Sequence, residues 1–267
     1  MLMAAAIDIA VKALASNYGT AQIVLLRVMF ALPVVLIYCQ LEGGLGAIRP
    51  RRPGWQLARG FLVAGANFGF FYGLSQVPLI TAVLLAYVSP VLIVLLSRPL
   101  LGERVGLHRW LGVAVGFAGV VAVYRPTDVG LNPGMLAVLA SSLCWALLSV
   151  SNRYLAGQET SASLTFFTLP VSGLLAAVLT VDSWVEPRAL DWALFLIAGL
   201  CGGAAHLFVV LAYRHARAAT IAPLEYTNLI WAALGAYLFW REMPDSWTWM
   251  GGAAILVGGY LAVRVRD

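Results

Sequence analysis

Asp8, Lys12 and Glu225 stand inside otherwise apolar runs. An ionised group at the centre of a bilayer costs at least about 2.5–3.5 kcal/mol on insertion scales, so such groups face a cavity or a partner. Asp8 and Lys12 are four residues apart and share one helix face, which allows either an intrahelical ion pair or two poles of a binding site. A zwitterion would suit them, with Lys12 on a carboxylate and Asp8 or Glu225 on an amine. A carboxylate in a low-dielectric setting could also carry a coupled proton, and Glu225 and Asp8 are the two candidates for that role. Glu225 leads the ranking, although it could equally serve as a partner that ties Lys12 to its helix. Arg27 reads as a residue that snorkels or pairs locally.

Polar and aromatic residues in neighbouring runs complete the candidate set. Asn67 lies 139 residues before His206, and Tyr87 lies 139 before Tyr226. Trp145 sits mid-run, with Ser149 and Asn152 one and two turns along the same face. Each could be a packing residue on its own; their common offset is what singles them out. His206 reads as a buried neutral histidine. Trp55, Trp184, Trp192, Trp247 and Trp249 fall at expected helix ends and read as interface anchors.

The elements that must position these residues are membrane helices. The 267-residue chain is 61% hydrophobic and 11% charged, with mean hydropathy +0.87, against about 45–50% apolar residues in ordinary soluble domains. Runs of about 18–22 apolar residues recur along it, each long enough to cross a hydrocarbon core. The expected helices are 1–16, 22–40, 57–75, 80–97, 110–124, 134–151, 164–181, 192–212, 220–240 and 247–263, which makes an all-α integral membrane protein of ten spans. The first run carries Asp8 and Lys12 and has no basic n-region, so it reads as helix 1 rather than as a signal peptide. Gly65, Gly69 and Gly73, and again Gly112 and Gly116, recur every fourth residue and predict close helix packing. Pro90 and Pro223 loosen the helices that contain them. Cys39, Cys144 and Cys201 fall inside helices with no metal-ligand spacing and read as small apolar residues.

The offset of 139 extends far beyond two pairs. Over 72–125 against 211–264, ten of 54 aligned positions are identical, including Thr81/Thr220, Glu103/Glu242, Trp110/Trp249, Gly119/Gly258 and Arg125/Arg264. Five helices per copy is an odd number, so the second copy enters the membrane inverted. Such repeats mark secondary transporters, with the substrate near the midplane between the copies. Arginines support the alternation. Twelve fall at the joins after helices 2, 4, 6 and 8 and at the C-terminus, and three at the opposite joins, which puts both termini in the cytoplasm.

The stretches Leu101-Gly102-Glu103-Arg104, Trp110-Leu111-Gly112 and Gly116-Phe117-Ala118-Gly119 have echoes in Trp240-Arg241-Glu242, Trp249-Met250-Gly251 and Gly258-Gly259. With those echoes they resemble paired EamA repeats of the drug/metabolite transporter superfamily. The resemblance covers nearly the whole chain and implies two five-helix units, 1–125 and 134–267. It also implies a carrier of a small organic metabolite, an amino acid or a cofactor-like compound, working by alternating access in the bacterial inner membrane. The opening around Asp8, Lys12, Gln22 and Arg27 is most similar to bacterial subgroups associated with uptake of riboflavin or S-adenosylmethionine.

Other classes find little support. The chain has no HExxH, no paired-aspartate protease motif, no Walker loop and no Ser–His dyad on adjacent helices, so an enzyme is not expected. Its three histidines make no metal site, and no cofactor is implied. The basic balance reports topology rather than a nucleic-acid partner. A channel or structural subunit is the alternative, and within carriers an amino-acid or drug exporter. The expected partners are a small-molecule substrate, protons as coupling ions and the lipid bilayer, with the chain as a monomer or homodimer.

Overall fold

A computed structural model describes residues 2–101, 107–124, 132–215, 227–243 and 245–264, and the described residues are helical with short joins. The helices are α1 (Leu2–Leu14), α2 (Thr20–Gly43), α3 (Pro53–Gln76), α4 (Leu79–Ala86), α5 (Ser89–Leu101), α6 (Leu107–Tyr124), α7 (Pro133–Leu155), α8 (Ser161–Phe166), α9 (Thr168–Thr180), α10 (Ala189–His215), α11 (Thr227–Trp240) and α12 (Ser246–Arg264). Among the described residues, four stretches are long and apolar enough to cross a membrane: Thr20–Gly43, Pro133–Leu155, Ser161–Ser183 and Ala189–Ala212.

Local chemistry sets several boundaries. Asn132 caps α7, its Oδ1 accepting from Gly134 N at 2.8 Å and Met135 N at 3.3 Å, with Pro133 at the first helical position. Thr160 caps α8 by accepting from Ser163 N at 3.0 Å. Two expected helices are broken. The fourth divides into α4 and α5 at Tyr87-Val88, because Pro90 has no N–H for the Ala86 carbonyl four residues back. The Ser89 hydroxyl donates to that carbonyl instead, at 2.8 Å. The seventh divides into α8 and α9 at Phe167, four residues ahead of Val171 and three ahead of Pro170, which again lacks the N–H that would continue the ladder.

Packing pairs elements from the two parts of the sequence. α3 lies on α7 and α1 on α10; α5 lies on α7 and α1 on α11; α6 lies on α12. Glycine makes the closest approaches. A Cβ at Gly69 would stand 2.7 Å from the Ala137 carbonyl oxygen, and one at Gly65 would stand 3.0 Å from Cys144 Sγ. On α6, a Cβ at Gly119 would meet the Gly251 carbonyl oxygen at 2.6 Å and Ile255 N at 2.7 Å. Glycine thus sits where α3 meets α7 and where α6 meets α12. Large apolar side chains cover the outside, among them Ile37, Phe61, Phe117, Leu174 and Phe239, an exposed apolar surface suited to lipid.

Each end is tied by polar contacts. At one end Glu42, near the end of α2, accepts from Ala162 N at 2.5 Å and pairs with Arg214 at 3.2 Å, while Glu159 accepts from Arg52 N at 2.8 Å. Arg59 is buried there. It lies inside α3, which starts at Pro53, and it donates to Gln56 at 2.7 Å and Asn152 at 2.5 Å. Gln56 continues through Ser163 to Glu159, so a polar chain links the buried guanidinium to a carboxylate. At the opposite end Tyr18 donates to Asp191 at 2.6 Å and Gln22 Nε2 to the Val185 carbonyl at 2.6 Å.

Candidate functional site

Between these ends lies a cavity of about 260 Å³. Of the expected site residues, Asp8, Asn67, Tyr87, Trp145 and His206 line it. They arrive from α1, α3, the break after α4, α7 and α10, so elements far apart in sequence converge on one space. The breaks at Tyr87 and Phe167 both abut it, with Tyr87 and Ser89 from one and Thr165 and Thr168 from the other in its wall. α6 and α12 contribute none of the described lining.

The lining follows the 139-residue offset. Val63 and Gly202, Ala66 and Ala205, Asn67 and His206, Phe70 and Val209, and Ser89 and Asn228 are all in the wall, each pair 139 apart.

Three expectations need correction or restriction. Asp8 and Lys12 form no ion pair with each other. Asp8 is buried and its Oδ2 accepts from Asn228 Nδ2 at 3.2 Å. Lys12 lies in the last turn of α1, outside the cavity wall, where Nζ donates to the Val77 carbonyl at 2.6 Å and stands 3.9 Å from Glu242. Glu242 in turn accepts from Leu79 N at 2.8 Å, capping α4 from the far end of α11. The reason is geometric: α1 ends at Leu14, so Lys12 reaches the join between α3 and α4, where a bare carbonyl and a carboxylate are in range. Glu225 and Tyr226 lie outside the described residues.

Two further polar residues of the wall stand out, one expected to snorkel or pair locally and one not singled out in the sequence. Arg27 does not snorkel to a surface. It enters the cavity, donates from Nη1 to Asn67 Oδ1 at 3.2 Å and lies 5.4 Å from the centre of the Phe71 ring. Asn228 is the other. The available signal was the offset, since Ser89 and Asn228 are both polar and 139 residues apart. Trp145 and His206 meet edge to face, with ring centres 6.2 Å apart. Arg27 Nε, His206 Nε2 and Asn228 Oδ1 are buried with no hydrogen-bond partner among the described residues. The arrangement can hold a ligand bearing charges of both signs and an apolar body, between a cation, an anion and aromatic rings.

A model of the EamA-like transporter family matches residues 1–125 and again 132–264. The chain belongs to the EamA-like transporter family. It is a multi-pass membrane protein of that family, and its curated relatives carry small metabolites. An S-adenosylmethionine uptake transporter of Rickettsia prowazekii is 26% identical over 96% of this chain and 86% of its own length. A riboflavin transporter of Rhizobium johnstonii is 34% identical over 83% and 74%. A pseudopaline exporter, CntI, of Pseudomonas aeruginosa is 29% identical over 96% and 90%. A solved crystal structure of 24% identity superposes with a TM-score of 0.71 over 98% of this chain and 94% of that one, which shows the shared fold.

Proposed function

We propose that this EamA-family transporter is a carrier that moves an amino acid or cofactor-like metabolite by alternating access around the described cavity. The observation that carries the reading is the cavity itself: a wall drawn from both halves, polar at a few positions and aromatic at others, with Asp8 and Arg27 in it. The proposed units are 1–125 and 134–267, inverted relative to each other as ten spans of the bacterial inner membrane, with both termini in the cytoplasm. The exchange of packing partners supports a two-fold relation. Shifting by 139 carries α1 onto α7 and α3 onto α10, so the α3–α7 contact becomes the α10–α1 contact, and α5–α7 becomes α11–α1. A substrate held on such an axis meets equivalent walls from either side, which is what alternating access requires.

Within this reading Asp8, Asn67, Tyr87, Trp145, His206, Glu225 and Tyr226 bind substrate, and Glu225 and Asp8 carry any coupled proton. Lys12 moves from substrate binding to the tie between α1, the α3–α4 join and Glu242. The family relatives include uptake systems and an exporter, so direction is a property to be measured.

The test is counterflow in proteoliposomes with labelled amino acids, riboflavin and S-adenosylmethionine at two pH values. Saturable counterflow of one of these, with a pH dependence that Glu225→Gln removes while insertion stays normal, is the expected result. Flux without saturation or counterflow would point to a channel, and pH-dependent transport unchanged in Glu225→Gln would take that residue out of the mechanism.

A further inference from the structure

Two opposite charges face one cavity without meeting. Asp8 is held by the Asn228 amide and Arg27 by the Asn67 carbonyl oxygen, and neither enters an ion pair among the described residues. Each side chain leaves binding capacity over. Among the described residues Arg27 Nε is buried without a partner on the cationic side, as is His206 Nε2; on the anionic side Asn228 Oδ1 is buried without a partner beside Asp8. Unsatisfied buried polar atoms are costly, and charged ones more so. Three of them around one cavity mark places where a ligand supplies the missing bonds.

Arg27 also has a slot made for it. A Cβ at Gly202 would stand 2.8 Å from Arg27 Nε, 3.0 Å from Nη2 and 3.1 Å from Cζ. The guanidinium therefore lies against the bare backbone of α10, with the Phe71 ring also within reach of its charge. A side chain at 202 would occupy the space of the guanidinium, so this glycine sets where the positive pole of the cavity is.

We propose that Arg27, seated against Gly202, is the anchor for a carboxylate of the substrate, with Asp8 and Asn228 Oδ1 receiving its ammonium or other cationic group. The substrate class is then a zwitterion with an apolar or aromatic body, oriented by the fixed separation of the two poles. Gly202 is a positioning residue that acts through Arg27. This rests on reading the cavity as the substrate site.

The experiment measures binding without flux, as the rise in unfolding temperature of the purified full chain in detergent with simple probes at tens of millimolar. The probes are benzoate, benzylamine, phenylalanine and phenethylamine. Ligands that bind only the folded state stabilise it by RT ln(1 + L/Kd), with L the ligand concentration, so the rise in that temperature grows with the ratio of L to Kd. The expected order puts phenylalanine above phenethylamine. Arg27→Gln should weaken benzoate at least about tenfold, the size of a lost charged hydrogen bond, and leave benzylamine unchanged. Arg27→Lys, which keeps the charge, should restore part of the benzoate response. Gly202→Ala should copy Arg27→Gln towards benzoate and spare benzylamine, a selectivity that a general packing defect does not give. Asp8→Asn should produce the converse. Phenethylamine binding as well as phenylalanine, a benzoate response unaltered in Arg27→Gln, or no benzoate response at all would each overturn the inference. If counterflow proceeds normally in Arg27→Gln, the inference fails and the carrier reading stands. If the probes bind as described and nothing in the counterflow panel moves, the carrier reading fails and the charge assignment stands.

Discussion

Lys12 shows how far a residue's type and spacing can be trusted. Its spacing from Asp8 suits an ion pair, yet the structure gives Asp8 to Asn228 and Lys12 to Val77 and Glu242. The missing knowledge was where α1 stops, which a pattern of apolar residues does not resolve to within a turn. Asp8, Asn67, Tyr87, Trp145 and His206 were legible because a polar or aromatic residue in an apolar run is conspicuous, and two of them had counterparts 139 residues on. For Arg27 the expectation was snorkelling or local pairing, and the structure gives the second, with Asn67; the glycine that makes room for it is one of 26. If the tie at Lys12 holds its end closed, Lys12→Met should raise the reactivity of a cysteine placed at Val77 towards a water-soluble reagent. The expected increase is several-fold, since a partly exposed charged contact contributes on the order of 1 kcal/mol. Unchanged reactivity would make the tie incidental.

At the scale of elements, the sequence separated helices well and located breaks poorly. Pro90 was expected to loosen a helix, and the structure makes it the reason for a full break with Ser89 taking over the orphaned carbonyl. The break at Phe167 went unread, although Pro170 lies three residues beyond it. The glycine faces were legible in kind, because repetition every fourth residue leaves a smooth stripe, and the partner of each stripe was not. Gly69→Leu forces a side chain where the Ala137 carbonyl oxygen and the Ser141 Cβ stand 2.7 and 3.0 Å from the first added atom. Its expected cost is about 1–3 kcal/mol or more of overpacking, read as a lower unfolding temperature in detergent. Gly54→Ala, on the same helix with nothing within 4 Å of the new atom, should leave that temperature unchanged. Equal effects of the two would show that α3 is not held against α7 by close backbone approach.

For the whole molecule, ten identities mark the 139-residue offset in the sequence, the family model matches the chain twice, and packing partners exchange under the same shift. Topology can be tested directly. With Cys39, Cys144 and Cys201 replaced, single cysteines at Gly157 and Ser183, both exposed and in successive joins, should react with a membrane-impermeant reagent from opposite faces, Gly157→Cys only from the cytoplasmic one. Labelling of both from one face would overturn the inverted arrangement. The distribution of indoles has a practical consequence of its own. Of nine tryptophans, seven are exposed on the outer surface and one, Trp145, lines the cavity against the His206 ring. Replace the other eight with phenylalanine, and the fluorescence of the molecule becomes a private signal from its centre. Its wavelength and quenching would then report occupancy in real time, with no label attached and no substrate identity assumed.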